Sequence, residues 1–181
     1  MRWGLAPWGC AMRSILASTF TVAACLALTT AAFAKPVRIA PGNPPITADI
    51  PSAWKVSEID RGIQARTGDD EVYVWFESYM PAQFETLLAE HNAYFKKQGV
   101  AITGEAKTQS VEFATYDLKS SDYPATYEKG PTVIRYLSIV PKEEGRRHLL
   151  ISYWASPAGD KRYDADVNKI LESLRASVEA R

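Results

Sequence analysis

Cysteine is almost missing from this chain of 181 residues: Cys10 and Cys25 are the only two, and both lie within the first 34 positions. A disulfide-stapled fold is excluded for everything after Cys25, and so is a zinc site built on thiolates. Histidine is nearly as scarce. His91 and His148 stand alone, with no H-x-x-x-H or H-x-H spacing to hold a metal. No excess of either charge exists, since 21 basic residues face 21 acidic ones, so nothing in the balance calls for nucleic acid or an anionic membrane. Acid is absent from the opening: no Asp or Glu precedes Asp49.

That opening has the form of an export signal. Arg2 and Arg13 give a positive start, and an uncharged stretch runs from Ser14 to Leu28. Small residues then lead to Ala32-Phe33-Ala34. Alanines at 32 and 34 suit the narrow pockets of a leader peptidase, so cleavage is expected between Ala34 and Lys35, with residues 1–34 as the signal peptide. A permanent anchor would need about 20 apolar residues, and Thr19, Thr21, Thr29 and Thr30 dilute this run. A rival site is Val22-Ala23-Ala24-Cys25, a lipoprotein-type box in which Cys25 would carry a lipid anchor. Apolar sequence continues beyond Cys25, which argues against it.

Removing 34 of 181 residues leaves 147, with 19 basic residues after the loss of Arg2 and Arg13 against 21 acidic ones. A chain of this length buries about 70 % of its unfolded surface, enough to be stable without disulfides. One domain is expected, over residues 46–181. Residues 35–45, with Pro36, Pro41, Gly42, Pro44 and Pro45, read as an extended N-terminal arm.

The domain opens with a two-residue rhythm. Segments 54–59, 63–67 and 71–79 are strand-like and are separated by Asp60-Arg61-Gly62 and Gly68-Asp69-Asp70, the pattern of an antiparallel meander. In the third segment Val72, Val74 and Phe76 take one face, and Tyr73, Trp75 and Tyr79 the other. Pro81 then opens a helix with Phe84, Leu87, Leu88, His91 and Phe95 on one stripe, closed by Gly99. Four strands are expected at 100–107, 111–120, 132–140 and 147–155, with residues 121–131 as a loop. A last helix over 161–178 carries Tyr163, Val167, Ile170, Leu171, Leu174 and Val178 on one face. The order predicts an α+β fold: an antiparallel sheet of six to seven strands flanked by two main helices, one over each face. If only one face were covered, Tyr73, Trp75 and Trp154 would line an exposed patch.

Chemistry is harder to find. No G-x-S-x-G elbow, S-x-x-K pair or Gly-rich phosphate loop is present, and no cofactor motif. His91 lies inside an apolar helical stripe and reads as a core histidine; His148 reads as an edge residue. Ser52, Ser138 and Ser152 are nucleophiles that nothing in the sequence pairs with a base. Asp69-Asp70-Glu71 and Glu143-Glu144 fall in hairpin turns and read as solvated acids, a cation site being the alternative for the first. The tryptophans suit a core. Tyr123 and Tyr127, in the expected loop, are the better candidates for partner contact.

The segment Ile50-Pro51-Ser52-Ala53-Trp54 with its Gly62 turn, and the ending Tyr153-Trp154-Ala155-Ser156 followed by Tyr163 and Ile170-Leu171-Glu172-Ser173-Leu174, resemble the PsbP/Mog-like superfamily, in particular its exported DcrB-like bacterial members. The resemblance spans residues 46–177. It implies a helix-flanked antiparallel sandwich in proteins that usually act without catalysis. Plant members support the oxygen-evolving photosystem, the Mog member binds a small GTPase, and the DcrB-like members imply an envelope location and an accessory role. No cation or GTPase contact of those members maps onto this sequence. The reading is therefore a non-enzymatic periplasmic or secreted accessory or binding protein whose partner is an unidentified envelope protein. Alternatives are a binder of a small ligand or cation and, less favoured, a small hydrolase using His148 or His91.

Overall fold

The computed structural model describes residues 34–180. Residues 1–33 of the expected leader, with Cys10, Cys25 and the lipid-anchor site, lie outside them. Strand β1 (Ala34–Ala40) pairs antiparallel with β2 (Ile46–Pro51) in a separate two-stranded hairpin. Residues 35–45, expected as an arm ahead of the domain, are thus part of it, and Ile39 and Ala40 are buried. Pro36 does not break its strand. Asp49, opposite it, turns its N–H away from β1 toward the Ser173 hydroxyl, so Pro36 sits where the ladder needs no donor.

Next come β3 (Lys55–Ile59), β4 (Gly62–Arg66) and β5 (Val72–Tyr79), the expected meander. A 3-10 turn at Pro81–Gln83 leads into α1 (Phe84–Lys97), which ends at Gly99 with a positive φ of 85°. The remaining elements are β6 (Ala101–Ile102), β7 (Lys107–Glu112), β8 (Tyr116–Tyr127), β9 (Gly130–Pro141), β10 (His148–Ala155) and α2 (Pro157–Glu179). The main sheet is antiparallel throughout, in the order β3-β4-β5-β10-β9-β8, with β6 and β7 sharing the outer edge of β8.

Three differences from the sequence reading have physical causes. The sheet has eight strands rather than six or seven, because the expected strand at 100–107 is interrupted between β6 and β7 and the one at 111–120 turns at residues 113–115. The expected loop at 121–131 is mostly strand: β8 and β9 form a long hairpin closed by Glu128 and Lys129 alone, both at positive φ (48° and 66°). Pro124 is tolerated within β8 because its carbonyl accepts from Thr103 N–H on the outer side, where β6 and β7 leave a gap and no neighbouring carbonyl requires its missing donor. Finally, α2 starts at Pro157 rather than at residue 161. Ser156 caps it, its hydroxyl accepting from Gly159 N–H at 2.8 Å.

The sheet is covered on both faces. On one, Val72, Val74, Phe76, Leu149, Ile151 and Ile139 pack against the β1–β2 hairpin and against Ile170 and Leu174 of α2. Burying each of these α2 side chains contributes on the order of 1.5–3 kcal/mol. Helix α2 also bonds to β2: Ser177 and Ser173 accept from the N–H groups of Thr47 and Asp49 at 2.9 and 2.8 Å. On the other face, α1 lays Leu87, His91 and Phe95 over Trp75, Tyr79, Tyr136 and Leu150. Helix α1 runs out before that face ends, which leaves Tyr73 and Trp154 half-buried. Among the described residues, no helix is long and apolar enough to cross a membrane.

Candidate functional site

At the end of α1, strand register lines up three aromatic residues and an isoleucine from four strands. Trp154 of β10 lies directly opposite Tyr73 of β5, and on its other side opposite Ile134 of β9, which in turn faces Tyr123 of β8. The row is therefore a consequence of register alone. The Trp154 indole stacks on Tyr73 with ring centres 5.5 Å apart, and receives the edges of Phe95 at 6.0 Å and Tyr127 at 5.4 Å. Its Nε1–H donates to Thr132 Oγ1 at 3.0 Å, and the Thr132 hydroxyl donates to the Ala155 carbonyl at 2.8 Å. This indole is held on every side but the outer one.

The outer margin of this ledge is Tyr127, 37 % exposed, and Tyr94 of α1, 36 % exposed and set edge-on to Trp75 at 5.5 Å. These are two of five large hydrophobic side chains exposed among the described residues. The Glu128 carboxylate beside Tyr127 raises its phenol pKa, and burial raises that of Tyr94, so both hydroxyls stay neutral donors at physiological pH. Rigid rings with neutral polar tips give contact area at low entropic cost, the chemistry of protein recognition surfaces.

The residues singled out in the sequence separate accordingly. Tyr127 belongs to the ledge. Tyr123 shares its face of β8 but is half-buried, edge-on to Tyr136 at 5.7 Å. Both are on a strand, not a loop. Tyr94 has no signal in the sequence beyond lying next to Phe95, one step off the buried stripe. The three acids at the β4–β5 turn diverge: Asp69 accepts from Arg162 and Tyr163, Asp70 pairs with Arg66, and Glu71 accepts from the Ser156 hydroxyl. No group of three His, Cys, Asp or Glu that could hold a metal occurs among the described residues.

His91 is 7 % exposed and bonded through Nε2 to the equally buried Glu77, whose other oxygen lies 3.4 Å from Arg61 Nε. Ser152, between Trp75 and Tyr136 in the sheet, is fully buried and its hydroxyl has no partner. His148 is half-buried edge-on to Tyr79, and burial lowers its pKa. His91 and Ser152 are thus closed off from the surface, and His148 partly so.

No family model matches the chain, and no curated protein does. Among solved structures it is similar to cyanobacterial PsbP (CyanoP) from Synechocystis sp. PCC 6803, with a TM-score of 0.51 at 8 % identity over 78 % of this chain and 91 % of that one. A protein of unknown function from Pseudomonas aeruginosa, PA94, aligns over 77 % of this chain and 94 % of that one, at 14 % identity and a TM-score of 0.35. The architecture is thus a PsbP-like α+β fold. At this identity the likeness concerns the fold and carries no function with it.

Proposed function

We propose that this protein is an exported, periplasmic or secreted accessory protein that works without catalysis, binding a protein partner of the cell envelope through the Tyr73–Tyr94–Tyr127–Trp154 ledge. The observation that carries the reading is the exposure of Tyr94 and Tyr127 around an indole fixed from behind. Such a pre-ordered aromatic patch meets a partner without first having to be frozen. Export rests on the leader pattern of residues 1–34. A cut between Ala34 and Lys35 would cost the β1–β2 hairpin a single pair, Ala34 with Pro51. Kinship with the DcrB-like exported group rests on the segments at 50–54 and 153–156 and is part of the same proposal.

The test is expression of the full chain in a bacterial host, with fractionation and N-terminal sequencing. Envelope crosslinking then compares the wild type with a Tyr94→Ala/Tyr127→Ala variant. The expected result is a mature chain starting at Lys35 in the periplasmic fraction and a crosslinked species that fades in the variant. A cytoplasmic, uncut chain overturns the export reading, and identical crosslinking by wild type and variant overturns the ledge.

A further inference from the structure

The opposite end of the sheet, on the face covered by α2, holds a second feature. A cleft of about 560 Å³ opens there between the β1–β2 turn, the β7–β8 turn, the β9–β10 turn and the end of α2. That volume lies within the range of about 300–1,000 Å³ usual for small-molecule sites. Its floor is apolar, made by Ile46, Ile139, Leu149 and Val178. Its wall is braced: Lys142 N–H donates to the Thr115 carbonyl at 2.9 Å, tying two of the turns together.

The mouth is cationic. Lys142, Arg146 and Arg147 line it, against one lining carboxylate, Glu143. Arg147 is fixed in place, donating from Nε to Ser78 Oγ at 3.1 Å and from Nη2 to the Ser78 carbonyl at 2.5 Å. That uses two of its five N–H donors. Lys142 lies 3.5 Å from Asp117, and Arg146 Nη2 lies 2.8 Å from Glu143 Oε2. The Glu143 side chain is 68 % exposed, so little holds it there. An exposed ion pair of this kind is worth about 0–1 kcal/mol, and an anion entering the cleft can take its place on Arg146.

We propose that this cleft binds a small amphipathic anion, an apolar chain of moderate length ending in a carboxylate or phosphate monoester. The chain lies on Ile139 and Leu149 and the head meets Arg146, Lys142 and the free donors of Arg147. The site is independent of the aromatic ledge and stands or falls separately from it.

Calorimetric titration of the purified protein with decanoate, decyl phosphate, decanol and decyltrimethylammonium, each below its micelle concentration, tests this. Binding of the two anions is expected, at least about tenfold tighter than the alcohol or the cation, and the tighter of the two names the head group. Three variants separate the site from bulk hydrophobic adsorption. Arg146→Glu should weaken anion binding by about tenfold or more, and Glu143→Gln should tighten it by removing the internal competitor. Ala114→Trp, which fills the cleft from an exposed turn, should abolish it, with Thr115→Trp as a second filler should the first not fold. Tyr127→Ala should leave it intact. No anion binding, equal binding of decanol, or binding untouched by either filler overturns the proposal.

Discussion

Glu77 and His91, one on the central strand β5 and the other on α1, meet in a side-chain bond under the helix, both more than nine-tenths buried. The imidazole is ringed by aromatics, with Trp75, Phe95 and Tyr136 at centroid distances of 6.0, 6.2 and 6.1 Å. Removing Glu77 strands the buried imidazole, and removing His91 leaves the Glu77 carboxylate buried with Arg61 Nε, at 3.4 Å, as its remaining charged neighbour. His91→Ala should therefore cost about 2–4 kcal/mol in urea unfolding, more than the lost contacts alone. Glu77→Leu should cost less on the His91→Ala background than alone, with a coupling of at least about 1 kcal/mol. Additive effects would mean the pair does not anchor α1.

The β4–β5 turn links to α2 through Asp69. The Thr67 hydroxyl, the Tyr163 hydroxyl and the Glu71 N–H hold the Asp69 carboxyl down to about 2, below its ordinary value of 3.8. Its folded pKa is the lower one, so its contribution to stability is complete above about pH 5 and is lost as pH falls through about 2. Asp69→Asn should flatten the acid limb of the stability profile between about pH 4 and pH 2, and change its slope little above about pH 5. Thermal unfolding at a series of pH values reads this directly. An acid limb of unchanged slope in the variant would remove Asp69 from the account.

Gly159 sits in the first turn of α2 against the start of β5. A Cβ there would stand 2.7 Å from the Glu71 carbonyl oxygen and 2.8 Å from the Glu71 Cβ. Two effects oppose each other. Helix propensity favours alanine by about 1 kcal/mol, while overpacking costs about 1–3 kcal/mol. Backbone atoms on the far side cannot swing aside, so packing should prevail. Gly159→Ala should lower stability by about 1–2 kcal/mol net, and a stabilised variant in denaturant unfolding would show that α2 can lift off β5 at little cost.

The turn at Glu128 and Lys129 is strained in both residues, with φ of 48° and 66°. Two-residue hairpins of this hand favour Asn-Gly, and ordinary side chains in the left-handed region cost about 1–2 kcal/mol each. Part of any gain is returned through the greater freedom of glycine in the unfolded chain. The pair Glu128→Asn and Lys129→Gly should still raise stability by about 1 kcal/mol, seen as a higher melting temperature.

That turn also explains what the sequence hid. Helix α2 is legible because all six of its large apolar side chains fall at helical spacing, and β5 because both of its faces are largely apolar. The β8–β9 hairpin has Gly130 just past its Glu128-Lys129 apex, and Pro124 stands within its first strand. Both read as loop signals until the gap between β6 and β7 is known. Strand β1 was obscured likewise by Pro36, whose tolerance depends on a serine 137 positions away in α2. The aromatic ledge was legible only in part. Tyr127 stands out by residue type, but its contact with Trp154 follows from pairing across three strands, and Tyr94 joins only because α1 stops short.

The two serines of α2 that meet β2 have a consequence for how this molecule behaves in a crowd. Four helical residues advance about 6 Å and two strand residues about 6.8 Å, so Ser173 and Ser177 can saturate successive outward amides of β2 much as another strand would. The hairpin consequently offers no foothold there for a second chain to zip on and seed fibrils.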